Sequence, residues 1–192
     1  MMINARIKAI KLGVSIILAT FCFNAFAEII NRKTVLITGG TKGIGKEISQ
    51  HFDDKGWDVW ATSRYIEDKQ FGKNIKFIQV DLTDDVSVKA AINKIYENSG
   101  RLDVVVNNAG YGLLGAGESV TIEQVKNQFD VNFYGVIRVI HAALPIMRQQ
   151  KNGHIINVSS TSGVRAVPGL GLYAASKMAL EGFSEALSAE LS

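Results

Sequence analysis

The stretch Thr34-Val35-Leu36-Ile37-Thr38-Gly39-Gly40-Thr41-Lys42-Gly43-Ile44-Gly45 decides the architecture. A short β-branched run enters a glycine-rich turn and leaves at once into an amphipathic segment. Glycines at a strand-to-helix turn accept positive φ and let a pyrophosphate approach the helix N-terminus, where unpaired N–H groups and the helix dipole favour an anion. The stretch therefore predicts a strand, an anion site and a helix in immediate succession.

The same alternation continues along the chain. Brief runs bounded by Gly, Asn or charged residues predict strands over 34–38, 58–62, 75–80, 102–107 and 154–159. Longer amphipathic stretches predict helices over 44–55, 85–99, 121–150 and from 173 to the C-terminus, with a short turn or helix around 65–71. Strands alternating with crossover helices make an α/β fold: one doubly wound parallel sheet flanked by helices in three layers, whose ligand sits beyond the strand C-termini. The pair Asp84-Asp85 reads as a cap for the helix that follows it.

With 192 residues, 47% of them hydrophobic, and only 2 prolines, the chain is expected to bury one core. Residues 1–27 differ from the rest. Arg6, Lys8 and Lys11 precede an uncharged run over 12–27 that closes Ala25-Phe26-Ala27, the layout of a secretory signal peptide, with an uncleaved membrane anchor as the alternative. The domain proper is read as 28–192. The formal charge of +3 resides in those three leader cations, so the body is neutral and no basic patch for nucleic acid is expected. Cys22, the only cysteine, lies in the leader, which excludes cysteine chemistry in the body. His51, His141 and His154 lack metal-ligand spacing, and no G-x-S-x-G elbow surrounds any serine.

The glycine spacing is Gly39-x-x-x-Gly43-x-Gly45, followed in order by Asp81-Leu82 after the third strand, Asn107-Asn108-Ala109-Gly110 after the fourth, Asn132, Ser160, Tyr173 and Lys177. In these elements the chain resembles the short-chain dehydrogenase/reductase family from about Lys33 to Ser192. The wording after Asn108 and after Tyr173 looks most like the hydroxysteroid and retinol dehydrogenase branch. The resemblance implies a Rossmann-like sheet with further strands beyond the fifth, so the chain reads as C-terminally incomplete. It also implies hydride transfer between a nicotinamide cofactor and a carbonyl or alcohol. A truncated inactive remnant, or a noncatalytic NADP-binding or scaffold module, stands as the alternative.

At the end of the second strand, an Asp or Glu would accept from a ribose 2′-OH and repel a 2′-phosphate, but this chain carries Ser63-Arg64 there. Arg64, with Lys42 in the glycine turn, suits a phosphate, so NADP(H) is expected in preference to NAD(H). The resemblance implies that Gly39, Thr41, Lys42, Gly43, Ile44, Gly45, Ser63, Arg64, Asp81, Leu82, Asn108, Ala109, Gly110, Tyr173 and Lys177 hold the cofactor. Asp81 takes the adenine amino group, and the Asn107 to Gly110 segment lines the adenosine side.

Tyr173 and Lys177 stand four residues apart, on one helical face. A phenol ionises near pH 10 and is a poor base at neutral pH, whereas a neighbouring cation favours its ionised form. Lys177 is thus placed to tune Tyr173 for proton transfer. By resemblance, Tyr173 is the acid/base, Lys177 also binds the nicotinamide ribose, Ser160 (13 residues before Tyr173) polarises the substrate oxygen, and Asn132 helps hold a water that links the lysine to solvent. Val164, Val167, Leu170 and Leu172 suit an apolar small-molecule substrate, with core packing as the alternative explanation. The resemblance further implies a homodimer or homotetramer. The leader points to export or membrane attachment through residues 1–27, whereas the cofactor requirement points to the cytoplasm.

Overall fold

The computed structural model describes residues 32–66 and 71–191. The leader and most of the turn expected around 65–71 lie outside the described residues. Five strands, β1 (Thr34–Ile37), β2 (Asp58–Ser63), β3 (Ile75–Gln79), β4 (Val104–Asn107) and β5 (His154–Asn157), form one parallel sheet in the order β3-β2-β1-β4-β5. The order reverses between β1 and β4, and the crevice beyond their C-termini is where such a sheet accepts a ligand. Around it run α1 (Gly43–Asp54), α2 (Asp85–Ser99), α3 (Ile122–Phe129), α4 (Gly135–Gln150) and α5 (Gly171–Glu190).

The alternation of side chains along each strand divides the core in two. Val35, Ile37, Val59, Val104 and Val106 pack with Ile48 and Phe52 of α1. On the opposite face Leu36, Trp60, Ile78 and Val105 meet Val88, Ile92 and Ile95 of α2 and Val139, Ala143 and Met147 of α4. A smaller cluster of Val136, Ile140 and Leu180, with Phe133 and Phe183 against it, joins α4 to α5. Near-continuous apolar strands are what a sheet covered on both faces requires.

Several expected boundaries move for identifiable reasons. Regular pairing of β4 begins at Val104 rather than at 102, because the Gln150 side-chain amide takes both the N–H (2.8 Å) and the C=O (2.9 Å) of Leu102. The fifth strand ends at Asn157 rather than 159, and the Val158 carbonyl accepts instead from Lys177 Nζ. The first and third strands each end one residue early, the second one residue late, and the last helix starts at Gly171 rather than 173.

The largest correction concerns 121–150, which is not one helix. A π-helical turn over Asp130–Tyr134 separates α3 from α4, marked by the Gly135 N–H donating to Asp130 O five residues back. Gly135 lies against Leu82, where a Cβ would come within 3.0 Å of the Leu82 Cβ, and Arg138 binds both Asp130 and the Leu82 carbonyl. The wide turn accommodates this close approach and brings Asn132 into the buried interior. Caps at the other helix ends follow the sequence: Asp84 accepts from Val86 N at 2.9 Å, and Thr121 and Gln124 make a reciprocal capping box.

Candidate active site

The glycine turn is held by its surroundings rather than by itself. Gly40 N–H donates to Thr62 O at 3.0 Å, and Ser49 Oγ donates to Gly40 O at 3.0 Å. Gly39 has φ +64°, which favours glycine, and Gly45 sits so close to the turn that a Cβ there would lie 2.2 Å from Gly39 O. Lys42, the N-cap of α1, makes no side-chain cap bond, so the first-turn amides of α1 are left for another acceptor. A Cβ on Gly43 would meet nothing within 4 Å, which leaves open space above these amides.

The neighbouring loop is anchored across the switch point. Thr38 Oγ1 accepts from the backbone N–H of Asn108 (3.0 Å) and Ala109 (3.1 Å), and Asn108 Nδ2 donates to Thr38 O at 3.0 Å. These bonds bind the Asn-Asn-Ala-Gly turn to the end of β1. Asn107 is buried and donates from Nδ2 to Asn157 Oδ1 at 2.9 Å, which ties β4 to β5 below the cavity.

Asp81 accepts from Thr83 N (2.9 Å) and Thr83 Oγ1 (2.7 Å). Those two bonds, helped by the charges of Arg64 and Arg138, hold its carboxyl below the usual aspartate value against the opposing effect of burial. Arg64 is exposed at the end of β2 and also acts electrostatically on Tyr111, whose phenol burial pushes upward.

On α5, Lys177 is 5% exposed and its Nζ donates to Val158 O at 2.8 Å. Burial pulls its ammonium below the ordinary lysine value, with Glu181 one turn on opposing that shift. Gly110 lies beside it, so that a Cβ there would come 3.0 Å from Asn132 Oδ1 and 3.7 Å from Lys177 Nζ. Tyr173 is half-buried, and a Cβ on Gly112 would sit 3.9 Å from its ring.

Asn132 is fully buried and its amide is occupied: Oδ1 accepts from Tyr111 N (3.0 Å), and Nδ2 donates to Tyr111 O (2.9 Å) and Ser176 Oγ (3.1 Å). Ser176 Oγ in turn donates to Tyr173 O at 2.7 Å, so a chain of hydrogen bonds runs from the β4 loop to the backbone of Tyr173. Ser160 Oγ accepts from Ser162 N at 3.1 Å, which leaves its own O–H as a donor.

Gly39, Lys42, Ile44, Gly45, Ser63, Arg64, Asp81, Leu82, Asn108, Ala109, Gly110, Tyr173 and Lys177 line one cavity of about 520 Å³ beyond the strand C-termini. Thr41, Gly43, Asn132 and Ser160, also expected at the site, are not on its wall; Asn132 lies behind it and Ser160 caps the short turn Thr161–Gly163. Ser159, the neighbour of Ser160, does line the cavity, and its Oγ is buried with no hydrogen-bond partner among the described residues. Four residues that shape the site carried no signal in the sequence reading: Thr38, Gln128, Arg138 and Ser176 act through contacts made 17 to 71 residues away or through a helix turn. A larger groove, about 640 Å³, runs along the free side of β5 between α4 and α5, away from Tyr173 and Lys177. Among the described residues no His/Cys/Asp/Glu group could hold a metal ion, and no helix is long and apolar enough to cross a membrane.

Residues 33–192 match the short chain dehydrogenase family. Among curated proteins the chain is 44% identical over 157 residues to 3-ketodihydrosphingosine reductase of Bacteroides thetaiotaomicron, covering 82% of this chain and 58% of that protein. It is 39% identical over 171 residues to retinol dehydrogenase 8 of Homo sapiens, covering 83% and 54%. The chain thus spans little more than half the length of these relatives. Among solved structures, a short-chain dehydrogenase from Streptomyces avermitilis superposes with a TM-score of 0.78 at 32% identity, over 84% of this chain and 61% of that one. ElxO with NADP bound does so with a TM-score of 0.79 at 36% identity, over 83% and 68%. Strand order, glycine turn, the placement of Tyr173 and Lys177 in one cavity, and these matches agree: the chain belongs to the short chain dehydrogenase family.

Proposed function

We propose that this protein is an NADP(H)-dependent oxidoreductase that interconverts an apolar carbonyl and its alcohol, with Tyr173 as the acid/base. The observation that carries the reading is the single cavity that joins the glycine turn and Arg64 at one end to Tyr173 and Lys177 at the other.

The chain's residues fit a dinucleotide. The uncapped N-terminus of α1 offers amides to a pyrophosphate, Asp81 stays ionised to accept from an adenine amino group, and Ser63 and Arg64, rather than a carboxylate that would repel a 2′-phosphate, close β2. Arg64 and Lys42 supply positive charge for that phosphate, and ElxO, 36% identical, has been solved with NADP bound and, as a Tyr-to-Phe variant, with NADPH bound. Gly39, Ile44, Gly45, Ser63, Leu82, Asn108, Ala109 and Gly110 complete the binding surface, and Thr41 and Gly43 belong to the turn that carries it.

The bound nicotinamide supplies or accepts the hydride. In the reducing direction Tyr173 gives its phenolic proton to the substrate oxygen as the carbonyl carbon gains the hydride, and in the oxidising direction it takes that proton back. Ser160 donates a hydrogen bond to the same oxygen, and Lys177, held by Val158 O, lends positive charge that favours the phenolate. Asn132 acts through Tyr111 and Ser176, which hold the β4 loop and the Tyr173 backbone in register.

An apolar substrate is supported by the surface beside Tyr173. Tyr111 lines the cavity with Tyr173, and Leu114, Val164 and Val167 in the flanking loops are exposed, Leu114 by 77% and Val164 by 82%. Leu113, Val120, Val167 and Leu172 line a cleft of about 230 Å³ between the two loops, which the Gly115 N–H to Gly169 O bond (2.9 Å) ties together. Two relatives, a retinol dehydrogenase and a ketosphingolipid reductase by name, fit the same chemistry. Attachment of the protein to a membrane through residues 1–27, and its pairing with a second copy, remain parts of this proposal.

The test is a fluorescence titration of the full chain with NADPH and with NADH, followed by a turnover screen with decanal, retinal and a 3-keto long-chain base. The proposal expects saturable binding that favours NADPH and consumption of NADPH with at least one of the carbonyls. Absence of binding to either cofactor by the folded protein would refute it.

A further inference from the structure

Gln128 is a buried polar side chain that the chemistry above does not use. It is fully inaccessible, in α3 one turn before Asn132, and its Nε2 donates to Tyr111 O at 3.1 Å. Its Oε1 is buried without a partner. Chemistry dictates this orientation: Tyr111 O can only accept, so the amide nitrogen must face it and the amide oxygen is left over.

A stranded buried carbonyl is costly, and methionine or leucine would fill a similar space with no stranded group. Packing therefore does not account for an amide at this position. Nor does the need to satisfy Tyr111 O, which already accepts from Asn132 Nδ2 at 2.9 Å. What the second amide adds is direction. Two donors from successive turns of one helical segment, with the Tyr111 N–H returning to Asn132 Oδ1, fix the short peptide segment on both sides of the Tyr111 Cα.

That peptide sits in the wall of the cavity. Gly110 on one side abuts Lys177 Nζ, and Gly112 on the other abuts the Tyr173 ring. A small displacement of residues 110–112 moves the surface against which the reacting groups are aligned, and misalignment on that scale lowers rates steeply.

We propose that Gln128 is a positioning residue: with Asn132 it forms a two-amide clamp on Tyr111 that sets the 110–112 wall against Tyr173 and Lys177. The proposal rests on reading that cavity as the hydride-transfer site.

The experiment compares the full chain with Gln128→Met and Gln128→Glu by hydrogen exchange, NADPH titration, and kcat and KM for decanal. Gln128→Met is expected to speed exchange in residues 108–113 alone, leave the Kd for NADPH unchanged, and lower kcat by about tenfold to a hundredfold. Gln128→Glu is expected to be equally slow at neutral pH and to regain activity as pH falls, because only the protonated carboxyl can donate to Tyr111 O. Wild-type exchange over 108–113 in Gln128→Met would overturn the clamp, as would exchange raised throughout the molecule together with loss of NADPH binding, the mark of a purely structural residue. If the unsubstituted chain binds no NADPH, the reading of the cavity fails, and the exchange measurement still decides for or against the clamp.

Discussion

At the residue scale, the proposed function places cofactor choice on Arg64, and acid/base work on Tyr173 with Lys177 behind it. Arg64 is exposed, so nothing in the core depends on it, and its substitution reports on the ligand rather than on folding. Arg64→Asp is expected to weaken NADPH binding by about tenfold or more, the loss of a charge-assisted contact, and to leave NADH binding at least as strong. Paired titrations with the two cofactors check this; equal losses for both would remove Arg64 from the phosphate site. Arg64, Asp81, Tyr173 and Lys177 were singled out in the sequence by their motif positions, and all four line the one cavity. Gln128 and Arg138 were not, since each gains its meaning from a carbonyl far away in the chain, Tyr111 and Leu82 respectively.

At the scale of elements, the glycine turn makes the closest backbone approach of any described glycine. A Cβ on Gly45 would press on Gly39 O at 2.2 Å and on Asn108 Nδ2 at 2.5 Å, and the first of these is backbone that cannot rotate away. Gly45→Ala is expected to cost about 1–3 kcal/mol in urea unfolding and to abolish NADPH binding, since α1 must move away from the turn. An alanine variant that kept both would show the turn to be looser than drawn. The β–α alternation that places this turn was visible in the β-branched runs and amphipathic stretches, and all five strands appear where those runs lie. The break between α3 and α4 was not visible. Its residues Asp130-Val-Asn-Phe-Tyr continue the helical periodicity, and the wide turn is tied to the close contact of Gly135 with Leu82, which no local pattern encodes.

For the whole molecule, the acid limit of stability depends on buried carboxylates. Asp53 at the end of α1 is buried, which raises its carboxyl, but the N–H groups of Lys73 and Asn74 and the Asn74 side chain outweigh burial and leave it below the usual aspartate value. A carboxyl depressed in the folded state stabilises fully above its unfolded value near 3.8, and that stability is lost as pH falls through the folded value. Asp53→Asn is therefore expected to lower stability by about 2 kcal/mol at pH 7 and to show a smaller deficit below pH about 3.5, measured by urea unfolding at both. A deficit independent of pH would contradict the assignment. The three-layer architecture itself was legible because strands buried on both faces leave unbroken apolar runs. Val164 and Val167 were read as apolar positions in the sequence, but their exposure, and that of Leu114, was not, because exposure is a property of the folded surface.

The central claim, that Tyr173 delivers the proton while NADPH delivers the hydride to an apolar carbonyl, is tested most directly by isotope transfer. NADPH carrying deuterium at the transferable C4 position is incubated with decanal and the full chain, or with Tyr173→Phe, and the alcohol is analysed by mass spectrometry. The account predicts one deuterium on the carbinol carbon with the unsubstituted chain, at least about a hundredfold less product with Tyr173→Phe, and the same NADPH affinity for both. Equal product from the two proteins, or saturable NADPH binding with no deuterium reaching any carbonyl in the screen, would contradict it.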